Sequence, residues 1–145
     1  MAKVSTYLNF QGKTKEAFEF YKQVFGTEYI GTVQLMKDVP PAPDMPKLKE
    51  EENDLVMHVA LPILGGHVIM GTDAVESMGH KVVFGNNISI NLEPDTRVET
   101  QKLFTALCEG GKIDMPLMEM FWGGYFGSLT DRYGVQWMFN CESKD

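Results

Sequence analysis

The chain runs to 145 residues, 43% of them hydrophobic and 23% charged, a balance that excludes wholesale disorder. Its 13 Lys and Arg against 20 Asp and Glu leave a formal net charge of −7, which removes the basic footprint of a nucleic-acid binder and disfavours an anionic membrane surface. The length predicts one domain, and the order of its elements divides that domain into two halves.

Residues 4–10 alternate, with Val4, Thr6, Leu8 and Phe10 on one side and Ser5, Tyr7 and Asn9 on the other, which predicts a strand. Gly12 breaks that period. Ala17, Phe20, Tyr21, Val24 and Phe25 then recur as one apolar helix stripe, opposite Lys15, Glu16, Glu19, Lys22 and Gln23. Gly26 stands where a left-handed helix cap belongs, and a strand is expected over 28–37. Residues 38–54 hold Pro40, Pro41, Pro43, Pro46 and the acidic run Glu50-Glu51-Glu52, too polar and proline-rich for a central strand. The segment reads as a surface loop with a solvated acidic run, a functional lid being the alternative. Two strands over 55–61 and 67–73, joined through Pro62 and Gly65-Gly66, read as a hairpin. Residues 74–85 read as the linker between a first module, 1–73, and a second, 86–145.

In the second module Asn87, Ser89 and Asn91 alternate with Ile88, Ile90 and Leu92, a half-buried strand that Pro94 and Asp95 end. Thr96-Arg97-Val98-Glu99 fits a capping box. Leu103, Phe104, Leu107 and Cys108 give the following helix its apolar stripe, Gly110-Gly111 ends it, and strands are expected over 113–120, 125–130 and 135–140. Each half therefore reads as strand, helix, then strands: an α+β fold of two βαβββ modules. One such unit leaves a sheet face bare, which a second copy can cover or help to close around a cavity.

Cys108 and Cys141 lack the spacing of a redox or zinc motif and read as two free, mostly buried thiols in a reducing compartment, a bridge between them being the alternative. Cys108 lies on the apolar helix face, where a raised pKa would make it a poor nucleophile. The chain opens directly into a strand pattern, and its apolar runs fall short of the ~20 residues of a membrane span, so a soluble cytoplasmic protein is expected.

Three blocks together resemble one family. They are Tyr7-Leu8-Asn9-Phe10 with Gly12, Glu16-Ala17, Phe20-Tyr21 and Phe25-Gly26; Met57-His58-Val59-Ala60-Leu61 with Gly65-Gly66 and Met70-Gly71-Thr72-Asp73; and Gly110-Gly111-Lys112 through Pro116-Leu117, Trp122-Gly123, Phe126-Gly127 and Asp131-Arg132-Tyr133-Gly134-Val135-Gln136-Trp137-Met138 to Asn140. In that order, over nearly the whole chain, they resemble the PhnB-like branch of the glyoxalase/bleomycin-resistance/extradiol-dioxygenase (vicinal oxygen chelate) superfamily. The resemblance implies paired βαβββ modules forming a cupped sheet around a cavity, and a homodimer. Members of the branch are sometimes labelled 3-demethylubiquinone methyltransferases, but no G-x-G-x-x-G opens a helix after a strand here.

The superfamily's enzymes hold a divalent metal with four side chains, and those places carry over to Thr6, His58, Asn87 and Met138. Of these only His58 is a good ligand; Thr6 and Asn87 are neutral oxygen donors and Met138 favours soft metals. Asn9 and Glu119 are nearby alternatives, and neither completes a tetrad. Facing a cavity, His58 could serve as general base, hydrogen-bond donor or metal ligand; otherwise it is a core histidine bonded to a neighbouring strand. Trp122, Tyr125, Phe126 and Trp137, with Met115, Met118, Met120 and Met138, could line an apolar pocket or simply pack a core. The stripe of Asn87, Ser89 and Asn91 orients a polar ligand if it faces a cavity. Arg132 reads as a turn residue or an anion clamp, and His67 and His80 as exposed loop-edge residues. Two functions follow. One is a protein that binds a small apolar or aromatic molecule in a cavity with an incomplete metal-ligand set. The other is a lyase, isomerase or dioxygenase-type enzyme of the superfamily using a divalent metal on His58.

Overall fold

The computed structural model describes residues 1–145. The chain divides into two compact units, Met1–Val83 and Phe84–Asp145. Unit 1 runs β1 (Thr6–Phe10), α1 (Thr14–Phe25), β2 (Gln34–Leu35), β3 (Val56–Pro62) and β4 (Val68–Asp73). Unit 2 runs β5 (Ile90–Leu92), α2 (Arg97–Cys108), β6 (Lys112–Glu119), β7 (Tyr125–Thr130) and β8 (Gln136–Cys141). Their four-stranded sheets have the same order, β1-β4-β3-β2 and β5-β8-β7-β6. In each, the first and last strands pair in parallel and the remaining neighbours are antiparallel. Neither sheet closes into a barrel. No helix is long and apolar enough to cross a membrane.

In unit 1 the helix packs one face of the sheet through Thr14, Ala17, Phe18 and Tyr21, all fully buried. This is one helical stripe, turned slightly from the expected one: Phe18 replaces Phe20, Val24 and Phe25 at its centre. The reason is Gly71 in β4. A Cβ there would collide with the Phe18 ring, so only the bare glycine leaves that ring room against the strand. Burying such a ring contributes about 2–3 kcal/mol. Gly26 ends α1 as expected, in the left-handed conformation (φ 65°, ψ 37°), with its N–H donating to Lys22 O at 2.9 Å.

In unit 2 the buried helix residues are Thr100, Leu103, Phe104 and Leu107, the same i, i+3, i+4, i+7 pattern. Thr96 caps α2, its hydroxyl accepting from Glu99 N at 3.1 Å. The Phe104 ring meets Phe139 of β8 edge-on, with centroids 5.5 Å apart. Trp137 is wholly buried on that side, and its indole N–H donates to Asp131 Oδ2 at 2.9 Å. β6 lies at the sheet edge, which is what admits Pro116; the pairing with β7 shifts register on either side of Met115.

Two expected strands are shorter than their patterns. Over 28–37 only Gln34 and Leu35 join the ladder, with a register shift between them, and the chain then turns into Met36–Asp38, a single 3-10 turn. Over 87–92 only Ile90–Leu92 pairs, and 86–89 stay exposed outside the sheet. Alternation records which side chains could face a core, and a strand also needs a partner backbone.

Candidate functional site

A cleft in unit 1 is built at the end of its sheet, where β1 and β4 finish side by side at Phe10 and Asp73. Asp73 is 4% exposed and collects the donors this junction leaves open. Its Oδ1 accepts from Gly12 N (2.9 Å), Thr14 N (3.1 Å) and Thr14 Oγ1 (2.7 Å), and its Oδ2 from Val56 N (2.9 Å). α1 has no capping side chain at Lys13, so Asp73 supplies the cap from another strand.

Beyond Asp73 the chain forms one wall, and the proline-rich segment after β2 forms the other. Between them is a cleft of about 1290 Å³. Asn9, Met57 and Thr72 line it from the sheet. Met36, Val39, Pro40, Pro43 and Met45 line it from the proline-rich side, and Val75, Met78 and Val82 from the segment after β4. Residues 38–54, expected as a surface loop or a lid, thus form a wall of the cleft. Apolar walls over a few amide and hydroxyl groups are the usual composition of a small-molecule site.

Glu52 joins the two walls. It is 7% exposed, and its carboxylate accepts from Ser77 Oγ (2.6 Å), Ser77 N (3.3 Å) and Lys49 N (2.8 Å). These bonds, the Ser77 hydroxyl first, hold its carboxyl below the usual glutamate range. The expectation of a solvated Glu50-Glu51-Glu52 run is corrected here: Glu50 and Glu51 are exposed, and the 3-10 turn they share with Glu52 points the third side chain inward.

His58 lies mid-β3, half-buried, and does not line this cleft. Its Nδ1 is 3.2 Å from Tyr7 Oη across the sheet, with the rings tilted at 6.0 Å. Tyr7 is 47% exposed, and partial desolvation raises its phenol above its ordinary value. Pairings of Tyr7 and Ala60 with Met70 place Tyr7, Asn9, His58 and Thr72 on the sheet face away from α1. Thr6 alternates to the opposite face, and its hydroxyl lies 2.9 Å from His67 Nε2. His67, expected in solvent, is therefore half-buried and partnered; His80 is exposed.

The donors present do not fit a divalent metal. Thr6 and His58 point to opposite faces of their sheet, and the side chain recorded against the His58 imidazole is the Tyr7 phenol. No three His, Cys, Asp or Glu side chains come together as ligands anywhere in the protein.

Unit 2 holds the other sequence candidates, which its sheet sorts into two faces. Asn87 is exposed in the bend before β5. Met138 is half-buried and pairs with Asn91 and Ser128, and Phe126 pairs with Met118, which sets these side chains on the face away from α2. Trp122 is 47% exposed and meets Phe126 edge-on at 6.1 Å. Tyr125 and Trp137 alternate to the helix side. Tyr125 accepts from Gln101 Nε2 at 2.9 Å and stacks under the Arg97 guanidinium at 4.9 Å. Glu119, bonded by Arg97 and Lys144, has its carboxyl held below the usual range. Arg132 donates to Glu109 O at 3.1 Å and lies 3.8 Å from its carboxylate, so it serves the turn after α2. Cys108 and Cys141 are free thiols; burial, then the Asp114 charge, push the Cys108 thiol above its ordinary value.

The residues that sequence reasoning missed are Asp73, Glu52 and the cleft lining. Asp73 stands in a quoted block, yet its partners lie up to 61 positions away. A buried carboxylate closing an apolar strand was the available signal.

With this geometry in hand, comparisons with known proteins agree on family and fold. A family model described as 3-demethylubiquinone-9 3-methyltransferase matches residues 2–139. Protein PA1353 from Pseudomonas aeruginosa is 37% identical, with 98% of each chain covered and a TM-score of 0.77. A PhnB protein from Bacillus cereus is 28% identical, covering 97% of this chain and 99% of its own, with a TM-score of 0.72. A glyoxalase/bleomycin resistance protein/dioxygenase family enzyme from Burkholderia phytofirmans shares the fold at 18% identity, covering 95% of this chain and 98% of its own, with a TM-score of 0.61.

Proposed function

The chain belongs to the 3-demethylubiquinone-9 3-methyltransferase family, the PhnB-like branch of the glyoxalase/bleomycin-resistance superfamily, and on that premise we propose that it binds a small apolar or aromatic molecule in the cleft of unit 1. The observation that carries this reading is the cleft itself: about 1290 Å³ walled by methionine, valine and proline side chains. Thioethers and proline rings adapt to a flat or irregular body, and displaced water supplies the driving force. The cap from Asp73 and the tie through Glu52 hold the walls in place without a ligand, which lowers the ordering cost of binding.

Binding is proposed rather than methyl transfer. The strand-to-helix connections, residues 11–13 and 93–96, are not glycine-rich, and both sheets are mixed. The usual seat of a nucleotide cofactor is a glycine-rich turn in a doubly wound parallel sheet. His58 is read as a hydrogen-bonding residue paired with Tyr7.

Thermal unfolding tests the proposal, with N-phenyl-1-naphthylamine and a panel of neutral aromatic compounds as probes. A ligand at one hundred times its Kd should raise Tm by about 5–10 °C. Ala74→Phe, which plugs the cleft from its rim, should abolish the rise; Asn9→Phe plugs it from the sheet and serves as a second variant. No rise with any probe, or a rise that persists in both variants, refutes the proposal. A second reading places the ligand on the Trp122, Phe126 and Met118 strip of unit 2, favoured by the exposed Trp122 and Met118 beside the half-buried Phe126 ring.

A further inference from the structure

We infer that the cleft of unit 1 selects an organic anion: an apolar or aromatic body carrying one acidic head group, held at the rim by Lys47 and Lys81. This rests on the reading that the cleft is a ligand site. The chain as a whole is acidic, with a net charge of −7, yet the cleft is lined by Lys37, Lys47 and Lys81 together with His80. Asp73 is the one carboxylate among its lining residues, and both its oxygens already accept hydrogen bonds.

The three lysines are not equivalent. Lys37 is neutralised by Asp54 at 3.1 Å. Lys47 and Lys81 make no ion pair, and they come from opposite walls, one from the proline-rich segment and one from the segment after β4. Two exposed lysines without an ion pair therefore line an apolar cleft from opposite walls. A neutral ligand gains nothing from them and a cation is repelled. An anion whose body fills the cleft gains two charge-assisted contacts, in a site drier than open surface. Lysine stems can also lie along the apolar wall while their heads reach the ligand.

The test compares two probes that differ by one sulfonate, 8-anilinonaphthalene-1-sulfonate and uncharged N-phenyl-1-naphthylamine, by fluorescence titration of the full chain. The sulfonate should bind more tightly by about two- to thirtyfold, the range that two partly exposed ion pairs supply. That advantage should shrink as salt is raised. The double variant Lys47→Gln, Lys81→Gln should bring the ratio of the two affinities to about one and flatten its salt dependence. Both side chains are exposed, so the variant should fold as the parent does. Equal affinities for the two probes in the parent chain, or a double variant that keeps the sulfonate's advantage, overturns the inference and leaves the cleft as an apolar site. If Ala74→Phe and Asn9→Phe displace neither probe, the reading of the cleft as a ligand site falls, and this inference falls with it.

Discussion

Replacing Asp73 with alanine should loosen unit 1 more than any other single polar substitution, and the size of the effect follows from its partners. The carboxylate accepts four hydrogen bonds, three at Oδ1 and one at Oδ2. Gly12 is exposed, so its N–H can turn to water when the acceptor is lost. Thr14 and Val56 are 0% and 1% exposed, so three donors, Thr14 N, Thr14 Oγ1 and Val56 N, would be left dry. An orphaned buried donor costs about 1–3 kcal/mol, and partial relaxation brings the sum to about 3–5 kcal/mol. Asp73→Asn keeps an oxygen for the Oδ1 group and turns an amide N–H toward Val56 N–H, so it should cost about 1–2 kcal/mol. Tryptophan fluorescence is the wrong assay, because Trp122 and Trp137 both lie in unit 2. Amide hydrogen exchange reads unit 1 directly, with the largest loss of protection expected at Thr14 and Val56. An alanine variant losing less than about 1 kcal/mol, or losing protection evenly along the chain, refutes the assignment of Asp73 as the shared cap.

Three further outcomes are expected. Gly71→Ala should destabilise unit 1 by about 1–3 kcal/mol, because the new Cβ meets the Phe18 ring; Phe18→Leu should relieve part of that cost, and additive losses in denaturant unfolding would contradict the contact. The folded pKa of Glu52 is lowered, so its contribution is complete above the unfolded value near 4.5 and is lost as pH falls through the folded value. Protection of residues 49–53 and 76–78 should drop in that acid window, and Glu52→Gln should remove the pH dependence; a tie that loosens at neutral pH instead would be wrong in sign. Protein purified without chelator should carry no stoichiometric Zn²⁺, Ni²⁺, Mn²⁺ or Fe²⁺, since no three ligand side chains converge. A stoichiometric metal lost on His58→Ala would restore the metal-dependent reading.

The architecture was legible because its signals are local. Period-two alternation marked β1, a threonine cap marked the start of α2, and Gly26 marked the end of α1. Helix frames are set by partners distant in sequence. In α1, two stripes share Ala17 and Tyr21, and only the bare Gly71, more than fifty positions away, decides that Phe18 lies inward. The site was the least legible part. Its walls come from a segment whose composition reads as loop, brought against the sheet by Glu52 and Ser77, 25 positions apart. The Thr6 and His58 positions fail to meet because alternation sends them to opposite faces, while Tyr7, one residue along, reaches the imidazole.

Hydrogen-exchange mass spectrometry with and without N-phenyl-1-naphthylamine tests the central claim most directly. Occupancy of the cleft should add protection to residues 36–48 and 74–83 and leave unit 2 unchanged. Protection appearing instead around Met118, Trp122 and Phe126, with residues 36–48 unaffected, would move the ligand to the sheet of unit 2 and contradict the account.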